Sequence, residues 1–542
     1  MAHPADGVEE IVPLENPARR RRRMLRRAVL LGATAVVVVA GAVWATNAAI
    51  RSCGPIGSGV YHVHGKCVGV TDGRYVFHPA LADVEGRIAA MNEKTRERPG
   101  YVTVALLDPL TPTRTSALPP AAERNRLEGA YTALRRINGG DSRRRPVQLL
   151  LATQGSPGWD TDQRDQWRVV RERLTHLTGA EEGPLVAVIG LGVSTTQTRE
   201  QARSLSAAGI PMVGSVITAD DLESNVVGVQ QDEPIRWLYK TSPSNRHYVA
   251  ALRESLKKTD AASAIRVVDS NYKRDDLFTR SLEEAFEGQL GRLSPVARFP
   301  GTRRGEENGT PSERFDIVVQ EVCTEASNTR GDKLAVYFAG REVDLPDFLL
   351  ALSQEVRTGI CRRDGAAHSA RRTPAEPIVL TAGVDLGAVL DTLGSKGQSI
   401  SVTVRNAATV DPDGWSRDEE TAPPGFGAFR RSFRQHFDAG HLADGGAIMV
   451  YDSFMITSQA VELAVSRKDP PTIRDMQDAL SDPSLKLLGA SGRIEGFTDA
   501  GLPVGKPIPV LEYAPGHRVR RVGPLCRLAA GPDELVECDP AG

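Results

Sequence analysis

The chain has 542 residues, room for three to four domains at about 150 residues each. With 40% hydrophobic and 25% charged residues and a mean hydropathy of −0.27, its composition excludes a disordered chain and a multi-span membrane protein. The 67 basic and 68 acidic side chains nearly cancel, and once an arginine cluster at 19–27 is set aside no basic footprint for nucleic acid remains.

That cluster precedes an uncharged stretch from Ala28 to Ala49. As a helix it would rise about 33 Å, enough for a hydrocarbon core of about 30 Å. The arginines on its near side and Trp44 near its far end predict a transmembrane anchor, with residues 1–27 a cytoplasmic basic tail and the rest outside the cell membrane. A cleaved signal peptide is the competing reading, since small residues follow Val43 and Asn47. A 1–27 tail is too short to signal, so any cytoplasmic response requires a partner.

All six cysteines, Cys53, Cys67, Cys323, Cys361, Cys526 and Cys538, follow the apolar stretch. An even count in an exported region predicts disulfides, and pairing of neighbours in sequence is the simplest of fifteen arrangements. A metal site from Cys53, His62, His64 and Cys67 is the rival for the first pair; no metal or cofactor is expected.

After a cysteine-stapled juxtamembrane region at 50–97, with a charged helix near 80–95, strands and helices alternate. Strands are predicted at 101–107, 147–152, 185–190 and 211–214, with helices at 123–137, 161–177 and 195–208. The alternation resumes with strands at 264–269, 315–319, 334–339, 377–381 and 399–404 and helices at 275–286, 345–356 and 385–393. Short apolar strands between amphipathic helices argue for an α/β fold of two doubly wound parallel-sheet lobes. In such sheets ligands meet the C-terminal strand ends, where helix N-termini attract anions. The most telling junction is Gly190-Leu191-Gly192-Val193-Ser194-Thr195, glycines and hydroxyls leading from strand to helix. Taken alone, such a junction is more often plain N-capping by Ser or Thr.

The same segment, LVAVIGLGVSTTQTREQARSLSAAGIPMVGSVITAD, resembles the type I periplasmic binding proteins of the leucine/isoleucine/valine-binding branch. Further segments match in order: LYKTSPSNRHYVAAL, VVDSNYKRDDLFTRSLEEAF, YFAGREVDLPDFLLAL, GAIMVYDSFMITSQAVELA and GASGRIEGFTDAGLPVGKPIPVLEY. The resemblance implies a hinge between lobe 1 (about 98–241 and 375–466) and lobe 2 (about 242–374 and 467–515), with a C-terminal tail at 516–542. It also implies that Ser194, Thr195 and Thr218 hold a ligand carboxylate, that Tyr272 faces the ligand, and that Glu342 meets an ammonium. Ser215 stands for a usual Pro and Lys273 for a usual Gly.

The function implied is an extracytoplasmic solute-binding protein closing on a small polar, amino-acid-like ligand. It would serve an ABC permease as its substrate-binding component, or act as a ligand sensor with another membrane protein. The alternative is a protein-interaction scaffold that keeps the fold without a small ligand. An exported enzyme is set aside, because Gly-x-Ser-x-Gly, His-Glu-x-x-His and phosphate-loop patterns are absent.

Overall fold

The computed structural model describes residues 53–54, 58–63, 65–112, 118–139, 144–155, 164–224, 234–257, 259, 261–270, 275–290, 294–301, 311–358, 361, 374–395, 399–531 and 535–539. Residues 28–49, the expected anchor, lie outside these. Among the described residues no helix is long and apolar enough to cross a membrane.

The first lobe is built on β1 (Val60–Val63), β2 (Lys66–Thr71), β3 (Val102–Leu107), β4 (Val147–Thr153), β5 (Leu185–Gly190), β6 (Met212–Gly214) and β7 (Leu238–Lys240). Their spatial order is β1-β2-β4-β3-β5-β6-β7. From β4 to β7 all neighbours are parallel, and β2 joins β4 antiparallel. Both faces are covered, as parallel sheets require. Along β3, Val104 and Leu106 enter one core with the helices Pro120–Asn138 and Gly446–Arg467, while Ala105 and Leu107 enter another with Pro-free helices at 164–177 and 196–207. Gly129 is what lets the first two helices approach: a Cβ there would lie 2.1 Å from the Ala447 carbonyl oxygen.

The second lobe holds β8 (Ala261–Asp269), β9 (Val296–Phe299), β10 (Lys333–Ala339), β11 (Glu376–Ala382) and β12 (Thr403–Ala407), parallel in the order β12-β11-β10-β8-β9. Numbered along the chain within each lobe, both parallel sheets have the order 2-1-3-4-5. Each therefore has one topological switch point, between β3 and β5 in lobe 1 and between β8 and β10 in lobe 2. Crevices at switch points are where ligands bind in this architecture.

The chain crosses between lobes at 241–245, at 408–410 and at 505–507, as the cores show: Val410 packs in lobe 1 and Ala408 in lobe 2. This corrects the expected boundaries. β11 and β12 belong to lobe 2's sheet, and the helix Ile473–Leu480 packs in lobe 1 through Met476 and Leu480. The region 50–97 is likewise not a separate stalk, because its hairpin extends lobe 1's sheet and its helix Ala82–Arg96 buries Val84 and Ile88 in that lobe's core. The C-terminal segment is part of lobe 2: Arg520–Arg521 pairs with Val510–Tyr513, itself beside β12.

Three disulfides join Cys53 to Cys67, Cys323 to Cys361 and Cys526 to Cys538, the neighbour pairing. The first consumes both thiols that a metal site would need. Two predicted strands are corrected. Residues 315–319 lie within the helix Pro311–Asn328, whose Phe315, Val318, Val319, Val322 and Ala326 recur at helical spacing on one buried face. The strand expected at 399–404 is β12, four residues further on.

Candidate functional site

At lobe 1's switch point the chain leaves β5 through three consecutive left-handed residues, Gly190 (φ 91°), Leu191 (φ 69°) and Gly192 (φ 65°). A leucine in that region is strained and must be held. The hold is visible: the Gly192 amide donates to the Asp108 carboxylate at 2.8 Å, and Arg126 donates to both Asp108 and the Gly192 carbonyl at 3.3 Å. The cavity beside this loop, at Asp108, Gly192 and Gln201, is about 20 Å³, room for one water molecule.

The loop delivers Ser194 and Thr195 to the face of lobe 2. Ser194 is buried; its hydroxyl accepts from the Ala219 amide at 3.2 Å, which brings it beside Thr218. Thr195 is the N-cap of the helix Thr196–Ala207, accepting from the Thr198 amide at 3.2 Å. Thr218 is buried, and its carbonyl accepts from the Asn245 amide at 2.8 Å. The structure thus brings Ser194, Thr195 and Thr218 together at one edge of lobe 1. Tyr272 lies outside the described residues.

Lobe 2's switch point meets this edge directly. Thr195 forms an antiparallel bridge with Asp276, the Thr196 amide donates to the Asp275 carbonyl at 3.0 Å, and the Phe278 amide donates to the Ser194 carbonyl at 3.2 Å. Arg341, the second residue after β10, lies in this seam. Its Nε and Nη2 each donate to one Asp276 carboxylate oxygen at 2.6 Å, and Nη2 also donates to the Ser194 carbonyl at 3.2 Å. The guanidinium sits 5.1 Å from the Phe278 ring centroid, within range of a cation–π contact. Gly383, at the end of β11, closes the far side near Thr218.

Neither Arg341 nor Asp276 was among the expected site residues. Asp276 precedes Thr279 by three residues, and its carboxylate does accept from the Thr279 amide at 3.1 Å, a cap signature readable from sequence. Its pairing with a residue 65 positions away is tertiary and was not. Glu342 is spent differently from expectation: its carboxylate accepts from the Asp385 amide at 2.8 Å, bracing the loop before the helix Leu386–Ser395.

The seam is rich in acids. Burial first, then the Asp385 carboxyl's neighbourhood with Glu342, raises Asp385 well above the usual carboxylate range. Burial likewise raises Glu342, and Asp444 of lobe 1 adds to both shifts, so acidic groups face each other across the lobes. In lobe 1, Glu123 is fully buried with both carboxylate oxygens unpaired, and burial with the charge of Asp108 raises it well above its ordinary value. Among the described residues no cluster of His, Cys, Asp and Glu is arranged to hold a metal ion.

Two lobes of order 2-1-3-4-5, joined by three crossings with their switch points face to face, are the type I periplasmic-binding-protein fold. Solved structures with this arrangement share it across most of the chain. The branched-chain amino acid transporter substrate binding protein LivJ from Streptococcus pneumoniae, in complex with isoleucine, aligns with a TM-score of 0.51 at 13% identity, covering 78% of this chain and 100% of that one. The leucine binding protein LivK from Thermotoga maritima aligns with a TM-score of 0.51 at 15% identity, covering 78% and 99%. A solute binding protein of an ABC transporter from Rhodopseudomonas palustris HaA2, in complex with p-hydroxybenzoic acid, gives 0.51 at 14% identity, covering 80% and 98%. No family model matches the chain, and no curated protein matches it by sequence. These neighbours are solute-binding proteins rather than enzymes.

Proposed function

We propose that this chain is an extracytoplasmic solute-binding protein whose lobes close on a small carboxylate-bearing, amino-acid-like ligand at the seam of Ser194, Thr195 and Thr218 with Arg341. The observation that carries the reading is the meeting of the two switch points, where a guanidinium from lobe 2 reaches the hydroxyl-bearing edge of lobe 1. Asp276 supplies a carboxylate that Arg341 grips from within lobe 2. A ligand carboxylate would share the Arg341 guanidinium with Asp276, since a guanidinium's forked donors suit any carboxylate within reach. Ligand then shifts the equilibrium between open and closed states by its preference for the closed one. The isoleucine and p-hydroxybenzoic acid complexes of the structural neighbours support a carboxylate as the recognised group. Anchorage by residues 28–49, and service to an ABC permease or to a sensory membrane partner, complete the proposal.

The Arg341–Asp276 pair also favours a second reading, a scaffold whose cleft is filled by its own side chains. One experiment separates the two. The melting temperature of the full-length chain is recorded against a panel of L-amino acids and aromatic carboxylates. A ligand at 100 times its dissociation constant stabilises by about 2.7 kcal/mol. A dose-dependent rise that disappears in Ser194→Ala/Thr218→Val supports binding at the seam; no rise with any member of the panel favours the scaffold.

A further inference from the structure

Away from the seam, at the opposite end of β7, lobe 1 contains a cavity of about 470 Å³ lined by Arg236, Trp237, Tyr239, Ser481, Phe497 and Thr498, among others. That volume falls in the range of small-molecule sites, roughly 300–1,000 Å³. The seam lies at the C-terminal strand ends, whereas this cavity opens where β7 begins, so the two are separate places on one lobe.

The walls are built from three distant segments and are firmly tied. Ser224 Oγ donates to the Leu238 carbonyl at 2.6 Å and accepts from the Leu238 amide at 2.9 Å, which fixes the strand that presents Trp237 and Tyr239. The Lys240 amide donates to the Gly501 carbonyl at 2.8 Å, and the Ser224 amide to the Ala500 carbonyl at 2.8 Å, so the 497–501 turn is laced along the same strand. Tyr239 and Phe497 pack with ring centroids 5.0 Å apart, and the Tyr239 hydroxyl is held by Ser481 Oγ at 2.6 Å. Trp237 occupies the left-handed region, φ 56°, a costly conformation for a bulky residue that the surroundings must impose. Only 5% of this chain is aromatic, yet three rings converge here. The Arg236 side chain is exposed at the mouth.

We infer that this cavity is a second ligand site, taking a small aromatic ring against Trp237, Tyr239 and Phe497 with an attached carboxylate paired to Arg236. The rings supply apolar and stacking surface, which favours a flat aromatic body over an aliphatic one. The guanidinium supplies a forked donor matched to a carboxylate.

Three probes at matched concentration test this on the full-length chain by saturation-transfer NMR and by tryptophan fluorescence: 3-phenylpropionate, 3-cyclohexylpropionate and 2-phenylethylamine. The expected result is binding of 3-phenylpropionate, at least tenfold weaker binding of the other two, and roughly tenfold loss in Arg236→Ala, whose exposed position spares the fold. Trp237→Phe removes the fluorescence response, which together with the loss in Arg236→Ala places the ligand in this cavity and not at the seam. No binding of 3-phenylpropionate at millimolar concentration, equal binding of the cyclohexyl compound, or full affinity in Arg236→Ala would each overturn the inference. So would an unchanged fluorescence response in Trp237→Phe, because that places the ligand elsewhere.

Discussion

Arg341 and Asp276 clasp each other across two parallel hydrogen bonds of 2.6 Å, and the same guanidinium reaches the main chain of Ser194 in the other lobe. Both partners come from lobe 2, so the pair does not itself span the seam; what spans it is the third bond, to Ser194, together with the bridge between Thr195 and Asp276. The pair stiffens the surface on which lobe 1 rests. Its Asp276 is almost wholly buried, and Arg341 is 16% exposed.

Replacing Arg341 by Ala strands a buried carboxylate, a change that costs on the order of 3 kcal/mol. Asp276→Asn keeps the cap on Thr279 and removes only the charge, so it should cost less. Urea unfolding of both variants gives the ranking, and small-angle scattering should show Arg341→Ala more extended than the native chain. Identical scattering and midpoints would mean that the clasp contributes nothing to lobe contact.

Glu85 gives a pH dependence with a definite sign. Its carboxylate accepts from the Phe77 amide at 3.3 Å while its other oxygen is buried and unpaired, and burial pushes it up to about 8. The folded state therefore binds this proton more tightly than the unfolded chain does. The resulting stabilisation is complete below about pH 4.5 and is lost as pH rises through about 8, with an order of magnitude of 3–5 kcal/mol. Glu342 and Asp385, raised in the same direction, add to the slope. Glu85→Gln should flatten the decline between pH 5 and 8; an unchanged slope would remove Glu85 from the account.

Lys506 tests the third crossing. It is fully buried, donates to the Ser491 carbonyl at 2.7 Å, and burial lowers it to about 7 against the opposing pull of Asp452. Asp452 in turn accepts from the Ala490 and Ser491 amides at 2.8 and 2.7 Å. Lys506→Met should destabilise by about 2–4 kcal/mol, and Lys506→Met/Asp452→Asn by less than the sum of the singles. Strict additivity in a double-mutant cycle would show the two charges to be independent.

Cys323 and Cys361 close a loop of 38 residues around the helix Leu345–Thr358. The chain-entropy estimate for such a loop is about 4 kcal/mol. Cys323→Ala/Cys361→Ala should lower unfolding stability by roughly 2–4 kcal/mol with the other two bridges intact, measured by guanidinium titration without reductant. An unchanged midpoint would show that this bridge restrains little.

Much of this was legible in the chain. The continuous apolar runs VTVALL and LVAVIG marked β3 and β5 because both faces of a central strand are buried, and the hydroxyl cluster after Gly192 marked the edge that meets lobe 2. The neighbour pairing of cysteines was also legible. Phe315–Val319 misled because five residues cannot distinguish a buried strand from a helix face; Val322 and Ala326, one and two turns on, decide it. The lobe boundary after β12 was invisible, since strand β11 looks the same whichever sheet it joins. Arg341 was passed over for its neighbour Glu342 because nothing local tells which of two adjacent charges turns toward another lobe.

The hairpin of β1 and β2 is stitched by Cys53–Cys67 and woven into the outer edge of lobe 1's sheet, only a short run after Ala49, whereas the C-terminus ends on lobe 2. On the proposed anchorage of residues 28–49, lobe 1 would be moored and lobe 2 would be the arm that moves, with the three crossings as its pivot. Any membrane partner that reads the state of the cleft would then sense the travel of lobe 2 and its C-terminal strands. A label at the C-terminus would report that travel, and one on the β1–β2 hairpin would stay still.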